Sequence, residues 1–255
     1  MIGLLCVEET KGYVPHRTLF TEQTIAGGRF CNVRIRLPAK GTFVRRCRIV
    51  QRAARRLHAR GIRQVVLPPG PFAYGDVLRD CRLQSVPVLP FLYHFAADIA
   101  LFWMETEGRA QKREGVVLQA GRMQVELART AETLCRKVRN VAIQVPGGEG
   151  LQERLRMQYG LPALSGAAGY FRAGLVLLFS PMPGGATAVP GRGAVFSFCR
   201  PGALLQTKRK KLENVVFRFR RGAPIPGQWD QTMLLSALWE MGCLSLTEVE
   251  IEQLA

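Results

Sequence analysis

Close cysteine spacing is the first thing missing. The seven cysteines (Cys6, Cys31, Cys47, Cys81, Cys135, Cys199 and Cys243) form no CxxC pair. An odd, scattered set suits neither a disulfide framework nor a tetrahedral zinc site. It suits free thiols in a reducing cytoplasm, the compartment expected here. Only three histidines are present (His16, His58 and His94), far apart in the chain, so no metal is expected. The opening Met1 to Glu9 stretch has no basic region ahead of its apolar residues, which argues against a secretory signal and for a first strand. Long apolar runs are also scarce. The longest, Val86 to Met104, is interrupted by Pro87, Pro90, His94 and Asp98. A spanning helix needs about 20 apolar residues, and a mid-span Asp costs roughly 2.5–3.5 kcal/mol. No membrane span is expected. The helix at 91–105 reads instead as a buried element or as a candidate homo-oligomer contact.

The most informative absence is that of acid. The 255 residues carry 36 Lys+Arg against 19 Asp+Glu, a net charge of +17. From Gln23 to Gly75 there are twelve basic residues and no acid, and from Arg154 to Leu212 nine more and again no acid. Between them, Asp76 to Glu153 is balanced. Uncompensated like charge destabilises a compact fold, so segments without acid point to an anionic partner or to a solvated basic face. The apolar content of 47% is that of an ordinary globular chain and excludes a disordered one.

What is present is an alternation of strand and helix patterns. Residues Phe30 to Leu37 alternate apolar with polar, a half-buried strand whose outer face carries Arg34 and Arg36. A helix follows from about Val44 to Arg60, with Cys47, Val50, Ala54 and Leu57 as one apolar stripe. Arg45, Arg46, Arg48, Arg52, Arg55, Arg56 and Arg60 cover much of the rest, more arginine than capping the helix end requires. Further strands are expected at 62–67, 85–89, 115–120, 141–145 and 175–179, and helices at 74–81, 123–138 and 149–159. The fold class is α/β: a mostly parallel, Rossmann-like sheet with helices on both faces. Seven residue matches at an offset of 77 suggest two similar halves. The division expected is 1–108, an N-terminal half with the basic strand and helix, and 109–255, a C-terminal half, with one continuous domain as the alternative. The strands at 194–199 and 215–220, with no clear helix between them, point to an antiparallel C-terminal extension. Asp230 is placed to cap a C-terminal helix, and Ser245 with Glu248 to form a capping box.

Candidate sites follow from this layout. A polyanion such as nucleic acid would be held by Arg34, Arg36, Arg45, Arg48, Arg52, Arg55 and Arg56. A second patch comprises Lys208, Arg209, Lys210, Lys211, Arg218 and Arg220. Such contacts read the phosphate backbone and carry little sequence information. Phe30, Phe217 and Phe219 would stack on bases only if exposed, and their alternation places them toward the core. The alternative is an enzyme or sensor for a nucleotide or phosphorylated small molecule, bound at strand–helix turns through Gly70, Gly147, Gly148 and Gly150. Neither turn completes a dinucleotide or P-loop motif, and Glu149 opposes an anion, so plain turns are the competing account. A third reading is an adaptor docking an acidic protein. His94 and Asp98 are four residues apart and would share a helix face, as a general-base pair or a satisfied buried one. No nucleophile, catalytic residue or cofactor is identifiable: Ser165 lacks the G-x-S-x-G elbow, and no cysteine has an evident histidine partner.

Overall fold

A computed structural model describes residues 1–11, 18–108, 115–160, 173–181, 193–199, 209–212, 214–220 and 226–254. The fold is mixed α/β with parallel-rich sheets, in two compact units: Met1–Val88 with Val216–Glu250, and Leu89–Val215 with Ile251–Ala255.

The first unit holds strands β1 (Ile2–Thr10), β2 (Thr18–Ile25), β3 (Gly28–Pro38), β4 (Gln64–Val66) and β5 (Gln84–Ser85), in the order β2-β3-β1-β4-β5. All neighbours pair in parallel except β2, which is antiparallel to β3. The β2–β3 hairpin turns at Ala26 and Gly27, both at positive φ (45° and 82°), the backbone of a type I′ turn.

Helix α1 (Phe43–Ala59) lies against one sheet face. Its Val50, Ala53, Ala54 and Leu57 share a core with Cys31, Val33, Ile35 and Leu37, the residues that the strand alternation assigned inward. Thr42 caps its N-terminus by accepting the Arg45 N–H, and Gly61 takes the left-handed position just beyond its C-cap. The other sheet face is covered at Gly28 and Phe30 by α7 (Gln231–Glu240). A Cβ on Gly28 would sit 2.7 Å from Leu238 Cδ2 and 2.8 Å from Met241 Cε, so a larger residue here would have to push these two side-chain ends aside. Asp230 caps α7 by accepting the Met233 N–H at 2.8 Å, and the Ser245–Glu248 capping box forms as expected.

The short α2 (Gly75–Asp80) ends in a Schellman motif: the Arg82 N–H donates to Arg79 O and the Leu83 N–H to Leu78 O. The left-handed residue of this motif is normally glycine, but here it is Arg82, at φ 59°. A left-handed side-chain-bearing residue costs about 1–2 kcal/mol, partly offset by glycine's larger unfolded-state entropy. Arg82→Gly should therefore stabilise the fold by about 0.5–1 kcal/mol, seen as a higher urea midpoint with an unchanged slope.

The second unit contains α3 (Leu89–His94), α4 (Ala96–Thr106), β6 (Gly115–Gln119), α5 (Val125–Cys135), β7 (Asn140–Gln144), α6 (Glu149–Tyr159), β8 (Ala173–Leu178), β9 (Ala194–Ser197) and β10 (Lys210–Leu212). Its sheet is wholly parallel, in the order β10-β9-β8-β6-β7. Counted from β6 this is the order 2-1-3-4-5. The apolar stretch expected as one helix at 91–105 is two, because the Phe95 N–H turns back to Leu92 O and tightens the backbone between them. Phe91, Phe95, Ala96, Ala97, Ile99, Ala100, Trp103 and Met104 are all buried, whereas Leu92, Leu101 and Phe102 are half-buried. Tyr93, Phe179, Phe196 and Phe198 form an aromatic cluster with centroid spacings of 4.9–5.6 Å.

The 194–197 strand, expected in an antiparallel extension, instead joins the parallel sheet between β8 and β10. The antiparallel C-terminal strands are β11 (Val215–Phe219) and β12 (Val249–Leu254), a two-stranded ribbon. Among the described residues, no helix is long and apolar enough to cross a membrane.

Candidate functional site

The arginines of α1 are arranged by the same periodicity that buries its core stripe. At 100° per residue, Arg45, Arg48, Arg52, Arg55 and Arg56 fall within an arc of about 100°, and Val50, Ala53, Ala54 and Leu57 within a second arc of about 100° on the opposite side. Burying the second arc against β3 forces the first outward, and all five arginines are exposed. Arg48, Arg52, Arg55 and Arg56 have no ion pair among the described residues. Arg46 lies outside the arc and is structural: its guanidinium donates to Pro38 O, Ala39 O and Glu9, the last at 2.7 Å. Arg60 sits over the Phe20 ring at 4.4 Å. The first turn of α1 contains no acid, so its positive dipole end is uncompensated.

The other candidates are placed differently. Arg34 and Arg36 point from the sheet face opposite α1, and both meet Glu8, at 3.1 and 3.4 Å. The parallel register sets Glu8 beside Arg36. Arg218 and Arg220 both pair with Glu250 across the C-terminal ribbon. Arg209 is only 3% exposed, donates to Ala173 O at 2.8 Å, and has its pKa pushed down by burial. It is part of the second unit's interior. Lys210 lies 3.8 Å from Glu107, Lys211 is exposed, and Lys208 lies outside the described residues. The first basic segment thus splits between two faces of one sheet, and on α1 the set Arg48, Arg52, Arg55 and Arg56 has no ion pair among the described residues.

At the glycine turns, Gly148 donates its N–H to Val145 O at 2.9 Å and Gly147 adopts φ 72°. This is a closed turn of the kind that needs glycine at its third position, and it engages the Gly148 N–H that a phosphate would use. Glu149 and Gly150 open α6, both exposed. Gly70 (φ 85°) lies in the first unit, after β4. Phe30 and Phe217 are fully buried. His94 and Asp98 fall on different helices and are both exposed, not a buried pair. Ser165 lies outside the described residues.

Two further features have no counterpart in the sequence reading. A cleft of about 440 Å³ in the first unit has Arg63, Gln64, Arg82 and Gln84 on its wall. Arg63 donates to His58 O, a carbonyl of the last turn of α1, and to Ile62 O just beyond the helix. The other is Glu8, whose pairing with two arginines follows only from the β1–β3 register. No described group of His, Cys, Asp and Glu could hold a metal ion.

Three of the thiols are deactivated. Burial and the nearby Glu132 push Cys135 up to about 11, and burial also raises Cys6 and Cys199. The thiolate is the nucleophile, so Cys135 at pH 8 should react with iodoacetamide at least about 100-fold slower in the native protein than after unfolding. Peptide mass spectrometry of timed alkylation measures this ratio.

The chain is thus a mixed α/β protein of parallel-rich sheets, with one exposed cationic helix face. No protein-family model matches the chain, and no curated protein matches it.

Proposed function

We propose that this protein binds nucleic acid, gripping the phosphate backbone with the outer face of α1. The observation that carries the reading is the single arc of Arg45, Arg48, Arg52, Arg55 and Arg56, exposed together on one helix. Arg45 to Arg56 covers about 16 Å of helix, on average one positive charge per about 4 Å. One strand of B-form DNA carries a phosphate about every 3.4 Å of axis, so the two charge densities are of the same order. Such an array reads charge and spacing and not sequence. The supporting argument from stability is independent. Five arginines on one face repel each other, and Arg48, Arg52, Arg55 and Arg56 have no ion pair among the described residues to offset this, the arrangement expected where a partner supplies counter-charge.

The strand order of the second unit agrees with a doubly wound, Rossmann-like sheet. Its part in function is to be sought at the carboxyl ends of its strands, separately from the α1 surface.

Fluorescence anisotropy against a labelled oligonucleotide, titrated between 50 and 200 mM salt, tests the reading. A steep fall in affinity with salt is expected, and no binding at 50 mM would end it.

A further inference from the structure

The cleft of about 440 Å³ in the first unit carries positive charge of its own, none of it from the α1 arc. It opens at the amino ends of β1, β4 and β5, where it is lined by Met1, Ile2, Arg63, Gln64, Arg82 and Gln84. Among the described residues, no carboxylate and no aromatic ring lines it. The parallel register sets Gln64 beside Gln84, and the Gln84 N–H donates to Arg63 O at 2.9 Å, which fixes the backbone beneath three of these side chains. Arg63 is anchored further through Nη1, which donates to His58 O and Ile62 O. Its Nε and Nη2 have no hydrogen-bond partner among the described residues, and neither has the Arg82 guanidinium. Arg82 is also the strained member, at φ 59°. Of the two non-glycine residues at positive φ among the described residues, Ala26 turns a hairpin and Arg82 lines the cleft. Glycine would relieve the strain but would remove one of the two charges. A left-handed side-chain-bearing residue is a mark of sites where the side chain itself serves a ligand.

We infer that this cleft binds a small phosphorylated sugar, its phosphate held between the guanidiniums of Arg63 and Arg82. A phosphate monoester carries about −1.5 to −2 charges at pH 7, the complement of two cations, whereas a single carboxylate would answer only one. Guanidinium N–H groups also match phosphate oxygens in geometry, two bonds at a time. The amides of Gln64 and Gln84 both donate and accept, as sugar hydroxyls require. A nucleotide base would find no ring here to stack on. The volume falls in the range of small-ligand sites, about 300–1,000 Å³. This inference stands apart from the nucleic-acid reading, because it uses none of the α1 arc.

Isothermal titration calorimetry of the full chain with ribose 5-phosphate, inorganic phosphate and ribose tests it. Ribose 5-phosphate should bind most tightly, inorganic phosphate more weakly, and ribose without measurable heat. Arg82→Gly should weaken both phosphate ligands about 10- to 150-fold. The same variant should unfold at higher urea, so its loss of binding is not a loss of fold. Gln84→Leu should weaken ribose 5-phosphate about 2- to 10-fold and leave inorganic phosphate within about twofold. Replacing the five arginines of the α1 arc by glutamine should leave ribose 5-phosphate binding within about twofold. Equal affinity of wild type and Arg82→Gly for ribose 5-phosphate, or no binding of it by wild type at millimolar concentration, overturns the site. Binding lost in the α1 variant and kept in Arg82→Gly assigns the phosphate to the helix and overturns it as well. Inorganic phosphate bound as tightly as ribose 5-phosphate overturns the sugar specificity.

Discussion

Replacing Arg45, Arg48, Arg52, Arg55 and Arg56 together by glutamine should flatten the salt dependence of nucleic-acid binding and make the protein more stable. Each phosphate neutralised contributes a slope of about 0.9 on duplex DNA and 0.7 on a single strand. Five contacts therefore contribute about 4.5 or 3.5. Between 50 and 200 mM salt, wild-type affinity should fall about 500-fold on duplex or about 130-fold on a single strand from these contacts alone. In the quintuple variant that part of the dependence is absent, and affinity at 50 mM should drop by on the order of 100-fold or more. Stability moves the other way. Within the set, Arg45–Arg48, Arg48–Arg52, Arg52–Arg55 and Arg52–Arg56 are helix neighbours three or four residues apart. Like-charged neighbours cost about 0.2–0.5 kcal/mol each, so their removal should gain about 1–2 kcal/mol. Glutamine is as good a helix former as arginine, which leaves the backbone unaffected. Arg34→Gln with Arg36→Gln serves as the comparison. These two share Glu8 on the opposite face of the sheet, and their loss should change the slope by less than about one contact. A quintuple variant that keeps the wild-type slope would remove α1 from the interface.

That comparison also shows where the sequence is legible and where it is not. The α1 helix and its arginine face are local facts. A run with apolar positions spaced three and four apart fixes both the helix and the side that faces away from the core. The strand alternation of Phe30 to Leu37 is local too, and correctly puts Arg34 and Arg36 outward. Their partner is not local. Glu8 reaches Arg34 and Arg36 because β1 and β3 pair in parallel, with the intervening hairpin strand β2 placed outside β3 at the sheet edge. Glu250 meets Arg218 and Arg220 in the same way, across a ribbon closed from the far end of the chain. An acid-free window in a sequence is therefore not an acid-free surface, because sheet pairing imports carboxylates from distant segments. A helix face pointing away from the sheet is out of reach of such pairing, and among the described residues Arg48, Arg52, Arg55 and Arg56 of α1 keep their charge without an ion pair. The 194–197 strand pairs in parallel, not in an antiparallel extension, for a related reason. Direction within a sheet depends on how the chain returns, and four residues of apolar pattern do not specify it.

Leu57→Ala should produce the largest loss of stability, about 2–5 kcal/mol, and it tests from below the arrangement on which the binding surface depends. Leu57 is fully buried in the core that joins α1 to the sheet, and Gly3 of β1 lies close against it, so close that a Cβ there would be 3.6 Å from Leu57 Cδ2. Truncation leaves a void between helix and sheet that neither element can fill without moving. With about 4 °C per kcal/mol for a unit of this size, the melting transition of the first unit should fall by roughly 8–20 °C. Arg55→Ala and Arg56→Ala, two residues and one residue away on the exposed arc, should stay within about 0.5 kcal/mol of wild type. The binding consequences invert this order. The Arg variants should lose salt-dependent affinity at 25 °C with the fold intact. Leu57→Ala should bind normally well below its own transition and lose affinity only as α1 comes away from β3. Parallel melting curves and anisotropy titrations of the three variants separate the two roles. If Leu57→Ala melted with wild type, the α1–sheet core would not be what presents the arginines.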